Sequence, residues 1–200
     1  MTLAARQLDC GVVRVAALQV RDGECVALTG PSGSGKTRIM RALADLDPAT
    51  GEITLDGRSH LEWGGPQWRA RVMYVPAESA WWDDRVGAHF PVDVTTADLR
   101  PLGFAADVLD WPVARLSSGE RQRLALLRAV LRTPRVLLLD EPTANLDSAN
   151  VDRVERWLAA RPGNDGAMLW VSHDQNQLRR VCARGYGIHA GELREIVPWP

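Results

Sequence analysis

The 200-residue sequence predicts an α/β fold, a mostly parallel sheet with helices on both faces. Three observations predict it. A glycine-rich octapeptide, Gly30-Pro31-Ser32-Gly33-Ser34-Gly35-Lys36-Thr37, joins a short apolar strand directly to a helical pattern. Val136–Leu139 is an uninterrupted apolar run, as expected of a parallel strand covered on both faces. From Gly119 onward, helix and strand patterns alternate, the order that builds a parallel sheet.

In chain order, Val12–Val20 is rich in β-branched residues and reads as a strand ending in the turn Arg21-Asp22-Gly23. Glu24–Thr29 is the strand that enters the glycine loop. After Lys36, the residues Ile39, Met40, Leu43 and Leu46 fall at helical spacing, and Asp47-Pro48 ends that helix. Gly51–Gly57 reads as a hairpin and Arg71–Val75 as a strand. Residues 78–115 change character, with Trp81, Trp82, Pro91, Pro101, Trp111 and Pro112, and read as a short inserted lobe with one helix around Thr96–Asp110. Regular alternation then resumes. It runs through a helix Gly119–Arg132, a strand Arg135–Asp140, a helix Ser148–Ala160 and a strand Ala167–Ser172. A helix Gln175–Cys182 and strands near Tyr186–His189 and Glu192–Val197 close the chain. One domain is expected, with a core of 1–77 and 116–200 and the lobe at 78–115.

Composition narrows the function. The formal net charge of −1 gives no electrostatic reason to expect nucleic acid as a partner. No stretch approaches the ~18–20 apolar residues needed to span a bilayer. Met1–Val20, broken by Arg6, Asp9 and Arg14, does not resemble a secretory signal, so a soluble chain is expected. Cys10, Cys25 and Cys182 are odd in number and widely spaced, which suits reduced, buried thiols. His60, His89, His173 and His189 show no metal-ligand spacing.

Lysine occurs once among 24 cationic residues, at Lys36 inside the octapeptide. The spacing G-x-x-x-x-G-K-[ST] is that of a phosphate-binding loop, whose backbone N–H groups cradle phosphates while a compact ammonium reaches the β/γ oxygens. A bare glycine turn is the alternative, but its strand–loop–helix context favours phosphate. Asp140-Glu141 ends an apolar strand at the carboxyl edge of the sheet, where open α/β sheets bind ligands. Asp140 suits Mg²⁺ and Glu141 an attacking water; two solvated acids at a strand end are the plainer reading. Leu116-Ser117-Ser118-Gly119-Glu120 satisfies the capping box S-x-x-E ahead of the stripe Leu124, Leu127 and Leu131. By local physics alone it is a helix cap.

Taken in order, these segments resemble the ATP-binding subunit of an ATP-binding cassette (ABC) transporter over essentially the whole chain. Gly30–Thr37 is similar to the Walker A loop, Val136–Glu141 to the Walker B strand, and Leu116–Glu120 to the signature motif, normally Leu-Ser-Gly-Gly-Gln. Ala144-Asn145-Leu146-Asp147 resembles the D-loop and His173 the switch histidine. The resemblance implies a P-loop NTPase (RecA-like) core with an N-terminal antiparallel β subdomain. It also implies ATP and Mg²⁺ as ligands and a head-to-tail dimer, expected here as a homodimer. Gly30, Pro31, Ser32, Gly33, Ser34, Gly35, Lys36 and Thr37 would hold the phosphates, joined from the second copy by Ser117 and Gly119. Thr37 and Asp140 would hold Mg²⁺, Glu141 would act on water, His173 would stabilise the transferring phosphoryl group, and Asp147 would link the two sites. An integral membrane permease would be the partner, with this chain peripheral on the cytoplasmic face of the membrane. The closest subgroup is that of small single-domain cassettes such as metal-exporting ones.

Four departures from the family bear on the site. Ala77 stands where the family carries a metal- and water-contacting glutamine; Glu78 is the nearest stand-in, or else a solvent-facing acid. Arg38 replaces the usual Ser/Thr. A cation in a helix's first turn opposes the dipole by roughly 0.3–1 kcal/mol unless phosphate is bound, so Arg38 is expected on the phosphate rather than in solvent. Ser118 replaces a signature glycine, and no aromatic residue precedes Val12 to stack on adenine. Trp81-Trp82 lies where the family docks its membrane subunit, though packing of a small lobe explains it equally; Trp63 and Trp68 are assigned to packing. Three functions remain in view: a transporter motor, a soluble ABC ATPase working on a macromolecule, and a weakly hydrolysing nucleotide-gated module.

Overall fold

A computed structural model describes residues 2–160 and 166–199. Its ten strands form one sheet in the order β5-β4-β1-β2-β10-β9-β3-β8-β7-β6. The middle is parallel. β3 (Cys25–Thr29) lies between β8 (Ala167–Val171) and β9 (Arg184–His189), and β7 (Val136–Asp140) flanks β8. All five residues of β7 are buried, which is why its sequence does not alternate. At one end β1 (Thr2–Asp9), β2 (Arg14–Arg21), β4 (Thr50–Leu55) and β5 (Arg58–Ser59) pair antiparallel, the β region that the resemblance implied. β10 (Glu192–Ile196) joins the two parts: it runs antiparallel to β9 and, at Glu192 and Leu193, parallel to β2. β6 (Val72–Val75) closes the other end.

The chain groups into two compact units. The first comprises 2–74, 134–141 and 166–199. Its core sets Ile39, Met40 and Leu43 of α1 (Lys36–Leu43) among sheet residues such as Leu3, Val20, Leu28, Leu138 and Leu169, with Trp68 of α2 (Gly65–Arg71). Trp68 is fully buried, and its Nε1 donates to the Leu43 carbonyl at 2.9 Å, satisfying an orphan acceptor at the end of α1. α1 is shorter than its spacing suggested: it stops at Leu43, Asp45 turns to φ 56°, and Leu46 is exposed. Cys10, Cys25 and Cys182 are free and buried, with the sulfurs of the last two 3.4 Å apart. Glu24, just ahead of β3, takes Arg184 of β9 in a paired contact, Nε–Oε1 2.6 Å and Nη2–Oε2 3.0 Å.

The second unit comprises 75–133 and 142–160, and so takes in more than the lobe read at 78–115. The single helix expected around Thr96–Asp110 is broken. α3 covers only Thr96–Leu99, a 3₁₀ turn follows at Arg100–Leu102, Gly103 adopts φ 84°, and a second 3₁₀ turn spans Ala106–Asp110. Pro101 and Gly103 are the breakers, one removing an amide donor and the other reversing φ. α4 (Ser118–Val130) and α5 (Ser148–Ala159) are the long helices here, and α6 (Gln175–Val181) belongs to the first unit. Trp81 and Trp82 both pack edge-on against buried His89, at 4.7 and 4.5 Å between centroids. The Arg128 guanidinium lies over both rings, yet Trp82 remains 65% exposed. Packing explains Trp81, whereas Trp82 faces outward. No described helix is long and apolar enough to cross a membrane.

Candidate functional site

In the first unit the loop after β3 is built on positive φ: Gly30 at 149°, Gly33 at 75° and Gly35 at 105°. Gly35 is the N-terminal cap of α1, and a Cβ there would lie 2.8 Å from Cγ1 of buried Val13. Only glycine meets both demands, so consecutive amides can turn inward as an anion-binding nest. Lys36 is 9% exposed and its Nζ donates to the carbonyls of Gly30 at 2.8 Å and Pro31 at 2.9 Å. Ser34 Oγ is buried without a hydrogen-bond partner, a polar atom awaiting a ligand.

The carboxyl end of β7 supplies the acids, and the loop after β8 supplies His173. Asp140 is 6% exposed. Its Oδ2 accepts the hydroxyls of Thr37 at 2.8 Å and Tyr74 at 2.9 Å. Glu141 follows in the left-handed region, φ 50°, a strained position for a side chain and one typical of working sites. Its Oε2 accepts the His173 amide at 3.3 Å; Oε1 is buried, lacks a hydrogen bond, and lies 3.5 Å from His173 Nε2. Burial pushes the Glu141 carboxyl above the usual glutamate value, the neighbouring His173 only partly opposing it. That is the direction a general base needs. His173 itself is 69% exposed. A hydroxyl and a carboxylate in contact are the hard oxygen donors Mg²⁺ takes when phosphates and water complete its shell, so the residues fit that ion.

The second unit holds the other expected residues. Ser117 caps α4 in a full capping box: its Oγ accepts the Glu120 amide at 3.2 Å and donates to Glu120 Oε2 at 2.8 Å, and its amide donates to the same oxygen. Gly119 is glycine for packing, since a Cβ would meet the Asn145 carbonyl at 3.0 Å and Leu146 at 3.2 Å. Asp147 caps α5, its two oxygens taking the amide and side-chain nitrogen of Asn150 at 2.9 and 2.8 Å.

Two expectations meet a different geometry. Arg38 turns its guanidinium to Asp47 at 3.4 Å, beside the Arg41–Asp47 pair at 2.8 Å. That acid offsets its unfavourable place in the first turn. Glu78 is exposed and its side chain has no hydrogen bond or ion pair among the described residues. Tyr74 is the contact sequence reading missed. Its only signal was a phenol near the end of a strand, with nothing to say that β6 would lie beside β7.

A glycine nest with one lysine, a hydroxyl–aspartate pair and a half-buried glutamate beside a histidine define a P-loop nucleoside-triphosphatase site. The profile described as "ABC transporter" matches residues 13–144. An aliphatic sulfonates import ATP-binding protein, SsuB 2 of Paracoccus denitrificans, is 38% identical over 190 residues, covering 90% of this chain and 73% of its own. A probable anion import ATP-binding protein of Haloferax volcanii is 32% identical, covering 98% and 80%. The sulfate/thiosulfate import ATP-binding protein CysA of Bradyrhizobium diazoefficiens is 32% identical, but this chain spans only 57% of its length. A bacterial Atm1-family ABC exporter with ATP bound superposes with TM-score 0.85 at 22% identity, over 97% of this chain and 38% of that one, a likeness of fold. The chain therefore belongs to the ABC transporter family, among its ATP-binding subunits, which are ATPases.

Proposed function

We propose that two copies of this chain close head to tail around two ATP molecules and drive a separate membrane permease. The observation that carries this reading is the half-buried Glu141, its carboxyl raised above the usual glutamate value, beside His173 and in the same unit as the Lys36 loop. Gly30–Thr37 cradle the phosphates, with Lys36 moving from loop carbonyls to phosphate oxygens. Thr37 and Asp140 hold Mg²⁺, which supplies charge neutralisation for the β- and γ-phosphates. Glu141 Oε1 takes a proton from water as the water oxygen bonds to the γ-phosphorus. The bond from that phosphorus to the β–γ bridging oxygen breaks, and ADP departs. His173, exposed at the edge, steadies the transferring phosphoryl group. Ser117 and Gly119 of the second copy close over the same phosphate, with the N-terminus of α4 facing the anion. Asp147 links the two sites.

Arg38 and Glu78 are left out of this set, the first because it is paired with Asp47 and the second because nothing holds it. Exposed Trp82 is offered to the permease, with the chain peripheral on the cytoplasmic face of the membrane. The three relatives described above are named for import of sulfur oxyanions or unspecified anions, which favours import and an anionic cargo. The test is light scattering on the Glu141→Gln protein. With ATP and Mg²⁺ it should double in mass, and Lys36→Ala should stay monomeric under the same conditions. A Glu141→Gln protein that binds ATP yet remains monomeric would refute the closing dimer.

A further inference from the structure

The site contains a hydroxyl that neither the resemblance nor the motif spacing assigned. Tyr74 lies on β6, the neighbour of β7, with its ring half-buried against the core and its Oη 2.9 Å from Asp140 Oδ2. Thr37 Oγ1 donates to the same oxygen at 2.8 Å. A carboxylate that is 6% exposed loses most of its hydration and must recover it from protein donors. Two hydroxyls converging on one oxygen do this and also fix the rotation of the carboxyl plane. Neutral donors achieve it without spending the carboxylate's charge, whereas an arginine would compete with a metal for the same oxygens.

We propose that Tyr74 is a positioning residue for the metal site: it holds Asp140 in the orientation that receives Mg²⁺ with ATP. Its place is suggestive. The strand that carries Tyr74 ends one residue later, and the loop beyond has Ala77, with no side-chain donor, and exposed, unpartnered Glu78. The chain anchors the acid from within the sheet. An ordinary buried tyrosine also finds an acceptor for its hydroxyl. What separates the two roles is whether metal binding depends on that bond.

This inference rests on assigning Thr37 and Asp140 to the metal, and the experiment tests the two separately. Mn²⁺, a spectroscopic substitute for Mg²⁺, is titrated into ATP-loaded full-length protein and free Mn²⁺ is read by electron paramagnetic resonance. ATP affinity without metal is measured in EDTA. Tyr74→Phe keeps the ring and removes one oxygen. It should weaken Mn²⁺ about tenfold, the low end for a lost hydrogen bond to a metal-holding group, with metal-free ATP affinity within about twofold of wild type. Mn²⁺ affinity within about twofold of wild type would overturn the proposal, and so would a parallel loss of metal-free ATP affinity, which means packing alone. Asp140→Asn decides the underlying assignment: if it leaves Mn²⁺ binding intact, the metal site itself is wrongly placed. Should Tyr74→Phe fail to fold, wild-type protein labelled with ¹³Cζ-tyrosine replaces it. The chain has two tyrosines, so the spectrum has two lines. The Tyr74 line should move when Mg²⁺ joins bound ATP, and a stationary line refutes the role.

Discussion

Replacing Gly35 by alanine tests the phosphate loop as a piece of backbone engineering. Two costs are separable in the structure. Gly35 sits at φ 105°, where an L side chain is strained by about 1–2 kcal/mol. The new methyl would also lie 2.8 Å from Val13 Cγ1 and 3.2 Å from its Cβ, an overpacking worth about 1–3 kcal/mol because a buried β-branched side chain cannot swing away. Gly35→Ala should therefore destabilise by about 2–5 kcal/mol. Val13→Ala alone should cost about 1–3 kcal/mol for the lost methyls and the cavity. In the Val13→Ala background the 2.8 Å clash with Cγ1 disappears while the tight approaches to the residue-13 Cβ at 3.2 Å and to Val12 Cγ2 at 3.3 Å remain, so Gly35→Ala should cost less than in the wild-type background, about 1–3 kcal/mol. Urea denaturation of the four proteins, with unchanged slopes, closes the cycle. Equal costs of Gly35→Ala in the two backgrounds would refute the steric argument. A cost below about 0.5 kcal/mol would refute the left-handed conformation as well.

Other expectations follow from the site and its surroundings. Glu141→Gln should lower steady-state ATP hydrolysis by at least about 100-fold while ATP still binds. Because burial disfavours the ionised carboxylate, the same change should raise the melting temperature at pH 8 and lose that advantage at pH 4, as differential scanning calorimetry will show. Arg184→Met strands half-buried Glu24 and should cost about 1–3 kcal/mol in urea melts. Burial raises the Glu24 carboxyl, but the Arg184 contacts outweigh it and leave it below the ordinary 4.5. Its stabilisation is therefore complete above pH 4.5 and fades as the pH falls below, an acid dependence that Glu24→Gln should lack. Glu78→Ala should leave the Mg²⁺ dependence of ATPase activity unchanged, and Arg38→Ala should leave ATP affinity at low salt unchanged; a loss in either returns that residue to the site.

Sequence reading carried furthest where chemistry is contiguous. The glycine loop, the β7 run ending in Asp140-Glu141 and the Ser117–Glu120 box each need only a few adjacent residues, so their spacing is visible in one dimension. α4, α5 and the parallel strands likewise lie within a residue or two of their expected bounds, because amphipathic period and apolar runs are local. What escaped was set by neighbours distant in sequence. The Tyr74–Asp140 bond spans 66 positions. The side toward which Arg38 turns depends on Asp47 lying past the end of α1. Thr96–Asp110 read as helical from its apolar spacing, yet Pro101 and Gly103 overrode the period. The extent of the second unit depends on contacts between 75–133 and 142–160, which no linker composition announces.

The order of the sheet has a consequence for how the chain is made. β3 bears the phosphate loop, but its two neighbours are β8 and β9, drawn from residues 167–189. A nascent chain that has already displayed every loop residue therefore has no lateral partner for the strand beneath it until the last fifth of the protein emerges. Pairings of such long sequence separation are slow to form. On the ribosome the polypeptide should thus be blind to ATP through most of its synthesis, becoming competent only as the final strands arrive.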